Sequence, residues 1–333
     1  LALAAPVAQV VAAGRLFRKG VYLRSGDAFE RLAEIDHIVF DKTGTLTLGT
    51  PKLNSILIGD RLLEARSQEA SRLLSDAARL ARASHHPLSR ALVSAAGVGA
   101  AAENVKEIAG HGLGAEFDGM IWRLGSAAWV GAEADGEASG PSLWFSRGDE
   151  PEVKFQFTDD IQPGAREALD TLRDQSINLE IVSGDQNASV SALANSLGIS
   201  DWTGEAKPKD KVARLEALRA QDAHVLMVGD GLNDAGALSL AHASLAPGAA
   251  IDISQSASDA VYGGGMQAIP LVLKVARKTR AIMRQNFALA AAYNVIAVPI
   301  AVTGNVTPLV AAIAMSLSSI IVTLNAMRLQ IGE

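Results

Sequence analysis

Asp41 is the first residue in this chain whose position implies chemistry. It stands in Ile38-Val39-Phe40-Asp41-Lys42-Thr43-Gly44-Thr45-Leu46-Thr47, where a β-branched and aromatic run stops at a carboxylate and small, hydroxyl-bearing residues come next. Such a run reads as a buried strand that delivers the aspartate at its carboxyl end. The turn after it offers the backbone N–H groups of Thr43 to Thr45, which suit phosphate oxygens. An aspartate with an ordinary pKa of ~3.9 is ionised at neutral pH and can attack phosphorus directly. Nucleophile and phosphate are both anions, so a cation is required, and Mg2+ held by carboxylates and phosphate fits. Two further apolar runs end in the same way. Ser183-Gly184-Asp185-Gln186 comes after Leu179–Val182, and Gly229-Asp230-Gly231-Leu232-Asn233-Asp234 after Val225–Val228. Lys211 lies between them and offers the positive charge that a phosphoryl group needs.

These residues must be positioned by something. From about 36 to 270, apolar runs alternate with amphipathic patterns such as Ala165–Arg173 and Lys211–Ala220. That alternation predicts a parallel, doubly wound α/β sheet, whose ligands sit beyond the carboxyl ends of its strands. Residues 51–155 read differently, with an Ala-rich helical stretch from Gln68 to Ala83, a Gly-rich loop at 110–114, and short strand candidates Ile121–Leu124 and Leu143–Ser146. They are expected to form an α+β insert, which leaves 15–50 and 156–270 as the two parts of the doubly wound domain.

The ends of the chain are apolar. Residues 1–14, Leu-Ala-Leu-Ala-Ala-Pro onward, read as the remnant of a transmembrane helix. In 271–333, Phe287–Val302 and Pro308–Met327 carry no charge, and the second has the ~20 residues a spanning helix needs. Lys274, Arg277, Lys278, Arg280 and Arg284 precede the pair, Arg328 comes after it, and the connecting Thr303–Pro308 is uncharged. Basic residues on the outer flanks alone predict a hairpin with both ends in the cytoplasm. A buried soluble hairpin is the alternative. The 333 residues carry a net charge of −6, which gives no reason to expect nucleic acid, and no cysteine, which excludes disulfides and thiolate metal sites within the chain.

The motifs DKTGTLT (41–47), SGDQ (183–186) and MVGDGLNDA (227–235) resemble those of P-type ATPases, which are built on a haloacid dehalogenase-like fold. The resemblance implies that Asp41 is phosphorylated by MgATP. It implies that Asp41, Thr43 through its carbonyl, and Asp230 bind Mg2+, and that Asn233 and Asp234 complete the phosphate and Mg2+ site. Ser183, Gly184 and Asp185 would hold nucleotide phosphate and the transfer geometry, and Lys211 would neutralise the phosphoryl group. Asp159 matches the hinge aspartate. Ser183 stands where the family usually has Thr, and Gln162 where it often has Arg. Soluble phosphatases of this fold usually place a second Asp two residues after the nucleophile. Thr43 stands there, which fits an aspartyl-phosphate that persists.

Ser84–Leu92 (SHHPLSRAL) and Gly110–Ala115 (GHGLGA) resemble the adenine pocket of the heavy-metal-transporting P1B class, with His86, Gly110, Gly112 and Gly125 lining it. That class often has Glu where His85 stands. Read from the residues alone, a His-Pro pair is a helix start and a Gly-rich loop is a turn. Thr203-Gly204-Glu205 spells the family's dephosphorylation signature by coincidence, since the genuine one belongs to an actuator domain upstream.

The first residues resemble the stretch just after the Cys-Pro-Cys of a P1B membrane helix. The remainder of such a pump would be this chain's partner: the actuator domain, the Cys-Pro-Cys helix and a metal-binding domain. Membrane lipid and a copper chaperone would be its other partners. Tyr293 and Asn294, with Met315 and Ser319 one helical turn apart on a shared face, are the candidate ligands of the transported ion. Thioether sulfur suits Cu+, while helix packing by small residues accounts for the same positions equally well on residue type. The combination resembles Cu+ pumps, and Ala314–Leu329 is similar to those that supply copper for cbb3-type oxidase assembly. The resemblance implies a multi-pass protein of the bacterial inner membrane that exports Cu+, with its catalytic domains in the cytoplasm. A Zn2+/Cd2+ pump, a phosphatase of the same fold and a non-catalytic nucleotide-binding module are the alternatives.

Overall fold

The computed structural model describes residues 4–64, 66–117, 119–133, 140–250, 252–303 and 307–330. The start of the apolar leader at 1–3, part of the Gly/Ala/Glu-rich connection at 134–139 and the uncharged hairpin loop at 304–306 lie outside them.

The apolar runs read from the sequence pair into one seven-stranded sheet. Its order is Val21–Leu23, Ala260–Tyr262, Ala243–Pro247, Val225–Val228, His37–Phe40, Asn178–Val182 and Asp201–Thr203. All neighbours are parallel except the Val21–Leu23 edge. Taken in chain order, the six parallel strands run 3-2-1-4-5-6 across the sheet. The chain therefore reverses its winding between His37–Phe40 and Val225–Val228, and a ligand crevice opens at such a reversal. His37–Phe40 and Val225–Val228 are buried along their whole length, as expected for parallel strands covered on both faces.

The insert is a second, antiparallel seven-stranded sheet. It is entered through Lys52–Ile58 and left through Val153–Thr158, and these two strands pair with each other. Entry and exit are thus stitched side by side. Helices Gln68–Ala81 and Pro87–Ala96 cover the sheet over a core of Leu73, Leu80, Leu92, Trp122, Phe145 and Phe155. The first helix begins where Ser67 Oγ accepts the Ala70 N–H at 3.1 Å. It buries Leu73, Ala77, Leu80 and Ala81, a helical spacing that faces one side inward. Each fully buried leucine contributes about 1.5–3 kcal/mol.

The C-terminal helices differ from the expectation in one respect. A single helix runs from Ala268 to Val302, 35 residues or ~52 Å at 1.5 Å per residue. Its first half is not a basic tail ahead of a membrane span but part of the globular core. Ile269, Val272, Leu273, Ala276 and Met283 pack on the doubly wound domain. The basic residues lie on the other positions of the same turns. Arg277 donates to Gln175 Oε1 and to the Ile35 carbonyl, both at 3.0 Å, and Arg280 donates to Glu34 Oε1 at 2.8 Å. A helical period carries charge on one side and apolar contact on the other, so a count of charges along the chain mistakes a docked helix for a flank.

The second half of that helix and Pro308–Met327 are long and apolar enough to cross a membrane, and little of either is buried against protein. Val295, Val302, Leu309 and Met315 are among their exposed side chains. Helix Ala4–Arg18 packs on the base of this hairpin through Ala8, Ala12 and Leu16, and Arg15 donates to the Leu329 carbonyl at 2.7 Å. Asn286, fully buried, accepts from Asn325 Nδ2 at 2.9 Å and clamps the two helices together.

Candidate active site

Asp41 leaves the central strand with its N–H donated to the Val228 carbonyl at 2.8 Å, so the Asp41 strand and the Asp230 strand end in register. The next turn, Lys42–Leu46, is irregular. Thr43 takes an extended conformation and Gly44 a left-handed one, φ 72°. A Cβ at Gly44 would land on the Asp230 carboxylate, so glycine there lets that side chain lie over the turn. Thr47 closes the turn by donating its N–H to the Lys42 carbonyl at 3.1 Å.

Three carboxylates and one ammonium converge at this point. Lys211 Nζ donates to Asp41 Oδ1 at 2.5 Å and to Asp234 Oδ1 at 2.6 Å. Lys211, Asp41 and Asp234 are all buried. Asp234 Oδ2 accepts the Gly231 N–H at 3.2 Å, and Ser254 donates to the Gly231 carbonyl at 2.5 Å, which pins the Gly229–Asp234 loop. Asp41, Asp230 and Asp234 each offer one oxygen within 4.8 Å of the others.

The charges do not cancel. Burial and the neighbouring Asp234, only partly offset by Lys211, push Asp41 up to about 7. The same influences push Asp230 up to about 6. Burial works against the Lys211 charge, but Asp41 and Asp234 outweigh it and hold its pKa above the usual lysine value. A dication at the three oxygens would relieve the repulsion among the carboxylates, and an all-oxygen donor set suits Mg2+. The residues present therefore fit that ion.

The other predicted residues take distinct places. Ser183 is buried, and its hydroxyl accepts the Asp185 N–H at 3.2 Å, so it shapes the second loop. Asp185 forms an ion pair with Lys42 and accepts from Thr43 Oγ1 at 3.2 Å, which joins the Ser183–Gln186 loop to the turn after Asp41. Gly184 lies between them with the Ala206 carbonyl close by. Asn233 lies in the short 3-10 turn Leu232–Asp234. Asp159 accepts from Thr47 Oγ1 at 2.6 Å and from the Gly49 N–H at 3.2 Å, where the chain crosses into the insert and back. Gln162 donates from Nε2 to the Thr47 carbonyl at 3.4 Å. Lys42 is buried beside Asp185, and no reading of spacing singled it or Ser254 out. Lys42 sits inside the DKTGT motif, whereas Ser254 has no sequence signal. Thr203-Gly204-Glu205 closes the sheet edge, with Glu205 held by Asn187 Nδ2 at 3.1 Å.

In the insert, His86, Gly110, Gly112 and Gly125 line one cleft of about 280 Å³, together with Ser84 and Glu107. Gly112 and Gly125 face each other across paired strands. A Cβ on either would come within 2.7 Å of the other's Cα and about as near to the Trp129 ring, so the two backbones meet only because both are glycine. His86 caps helix Pro87–Ala96, its Nδ1 accepting the Leu88 N–H at 3.3 Å. Ser84 donates to Glu107 Oε1 at 2.7 Å, which puts a carboxylate in the cleft that the motifs did not indicate.

In the hairpin, Tyr293, Asn294, Met315 and Ser319 line a single interhelical cleft of about 620 Å³, with Ser318 beside them.

Comparison with known proteins agrees with this geometry. A family model for haloacid dehalogenase-like hydrolases matches residues 35–242. The nitrogen fixation protein FixI of Rhizobium leguminosarum is 46% identical over 99% of this chain and 43% of its own length. A copper-exporting P-type ATPase of Mycobacterium tuberculosis is 32% identical over 99% of this chain and 44% of its own. The chain thus spans less than half the length of these curated relatives. Among solved structures, a zinc-transporting PIB-type ATPase superposes over 98% of this chain and 55% of its own, with a TM-score of 0.77 at 27% identity. The catalytic domain of the CPx-ATPase CopB-B is 31% identical, with a TM-score of 0.65 over 80% of this chain and 98% of that domain. The motif spacing, the 3-2-1-4-5-6 sheet with its carboxylate cluster and these matches lead to one assignment: the chain belongs to the haloacid dehalogenase-like hydrolases and, within them, to the PIB or CPx type of P-type ATPase.

Proposed function

We propose that this chain carries the phosphorylation, nucleotide-binding and last membrane-hairpin parts of a pump that exports Cu+ from the cytoplasm through an aspartyl-phosphate. The observation that carries the reading is the convergence of Lys211, Asp234 and Asp230 on Asp41 at the winding reversal of the sheet. An Asp41 oxygen attacks the γ-phosphorus of ATP, the bond to the bridging oxygen breaks, and ADP leaves. Lys211 is placed to offset the charge of the entering phosphoryl group, and Thr43 keeps a second carboxylic acid away from the product. Asp41, the Thr43 carbonyl, Asp230 and Asp234 would hold Mg2+, which would supply the charge neutralisation that lets an anionic phosphate approach an anionic nucleophile. Adenine would lie in the cleft of His86, Gly110, Gly112 and Gly125, over backbone that no side chain obstructs. The reading places the domains on the cytoplasmic side of a bacterial inner membrane, with lipid, a copper chaperone and the remainder of the pump as partners.

The choice of Cu+ rests on the donors of the hairpin cleft. Met315 offers a soft thioether, and no acidic residue lies between Phe287 and Met327. The similarity to a zinc-transporting ATPase keeps Zn2+ as the second reading. Labelling with γ-labelled ATP and Mg2+, then an acid quench, tests the first claim. Hydroxylamine-sensitive label on the wild type and none on Asp41→Asn is expected, and rapid phosphate release from small esters without label would favour a phosphatase. ATPase activity of the full-length pump in lipid tests the second. Stimulation by Cu+ that is lost on Met315→Ala is expected, and stimulation by Zn2+ alone would overturn the copper assignment while leaving Asp41 in place.

A further inference from the structure

A second group of metal-type donors lies at the opposite end of the same sheet. His224 and His242 are each the residue just before a strand, Val225–Val228 and Ala243–Pro247 respectively. Those strands are parallel neighbours, so their amino ends bring the two imidazoles together, with ring centroids 4.6 Å apart. Glu34, the last residue of helix Ala28–Glu34, completes the group with Oε2 at 3.1 Å from His242 Nε2. One donor atom from each of the three lies within 4.8 Å of the other two. A tetrahedral ion with bonds of about 2.0–2.1 Å needs donors roughly 3.4 Å apart, so a small side-chain rotation would close the set.

We propose that Glu34, His224 and His242 bind one borderline divalent cation of the Zn2+ kind, outside both the phosphorylation site and the membrane cleft. The surroundings have the form that such sites take. His224 has Nδ1 3.4 Å from Asp36 Oδ2, and its backbone N–H donates to Asp36 Oδ1 at 2.9 Å, which fixes the ring and leaves Nε2 for the metal. Arg280 holds the other oxygen of Glu34 at 2.8 Å. Arg31 and Arg219 line the same cleft; Arg31 donates to the His242 carbonyl at 3.0 Å and is matched by Asp259 at 2.6 and 2.8 Å. A cleft of about 460 Å³, lined by His224 and His242, gives an ion a way in, and all three donors are partly exposed. Two imidazoles and a carboxylate leave one position open for water. That set favours Zn2+ over Cu+, which prefers sulfur. Because Arg280 belongs to the long helix that continues into the membrane hairpin, occupancy would lock the start of two sheet strands to that helix.

The test uses the 333-residue chain in detergent, with millimolar Mg2+ to occupy the Asp41 cluster. Co2+ serves as the visible probe of a Zn2+-type site. One equivalent of Co2+ with four-coordinate d–d absorption, displaced by Zn2+, is expected. His224→Gln and His242→Gln should each weaken it at least tenfold, and Met315→Ala should leave it unchanged. Absorption that survives both histidine changes, or that disappears with Met315→Ala, overturns the proposal. A measurement on the wild type guards against variants that fail to fold. Zn2+ should shield His224 and His242 from diethylpyrocarbonate, as mapped by mass spectrometry, and unchanged reaction of both residues overturns the proposal equally.

Discussion

Two of the candidate sites, the Asp41 cluster and the cleft in the insert, are built on opposite principles. The Asp41 site gathers buried charge: three carboxylates crowd around one lysine at the ends of parallel strands, and burial beside Asp234 raises the pKa values of Asp41 and Asp230. The cleft in the insert gathers absence: two glycines let antiparallel strands meet without side chains, and a histidine is spent on capping a helix. A site that makes and breaks a bond to phosphorus needs fixed charges in a medium that does not screen them. A site that grips a flat base needs backbone surface, which removal of side chains provides. The first should therefore be sensitive to charge and pH, and the second to volume.

Lys211→Ala should give the largest effect and bears on the charged site alone. It leaves Asp41 and Asp234 buried without their counter-ion, and loss of one partner from such a group costs about 3–5 kcal/mol. Urea unfolding should show that loss, and phosphorylation of Asp41 should fall at least a hundredfold while nucleotide affinity stays within a few-fold. An unchanged unfolding midpoint would show that the cluster is better solvated than its burial implies.

Next comes pH. Asp41 holds its proton more tightly in the folded chain than in the unfolded one, so between 3.8 and about 7 the folded state binds more protons and stability falls as pH rises. From pH 5.5 to 8 the metal-free chain should lose on the order of 2 kcal/mol. Mg2+ should restore most of it at pH 8 and little at pH 5.5, where protons already do its work. Thermal unfolding with and without Mg2+ at the two pH values checks this. An equal Mg2+ effect at both would place the ion elsewhere.

Gly125→Ala addresses the other site. Its Cβ would be driven onto the His111 carbonyl and the Gly112 backbone, an overpacking cost of about 1–2 kcal/mol. Nucleotide affinity should drop about tenfold, read by calorimetry, while label on Asp41 at saturating ATP is retained. Loss of label at saturation would mean that the two sites are less separable than their construction implies. His86→Ala should give the smallest effect. It removes a cap worth about 0.5 kcal/mol and should weaken nucleotide binding more than it weakens folding.

Much of this was legible in the chain. Asp41, Asp230 and Asp234 each come after an apolar run, and a strand that ends in a carboxylate is a local pattern. The two sheets were implied by periodicity and by the change of texture near residue 51. Other features had no local sign. The Arg277 and Arg280 contacts depend on where a helix docks, and their linear order alone made those residues a membrane flank. Glu107 entered the cleft of the insert beside Ser84, a residue 23 positions away. His224 and His242 carry no signal until parallel pairing sets their strands side by side.

The sequence by itself determined which residues carry charge, sulfur or no side chain, where strands and helices begin, and how long the apolar helices are. These are properties of the covalent chain and its near neighbours. Only the tertiary structure decided which carboxylates are buried side by side, and therefore that the pKa values of Asp41 and Asp230 rise despite Lys211, because Coulomb interaction and desolvation depend on distance and burial. It decided too that one continuous helix carries both the sheet contacts of Ile269–Met283 and the exposed apolar face beyond Phe287. A helix is local, but the surface it rests on is not.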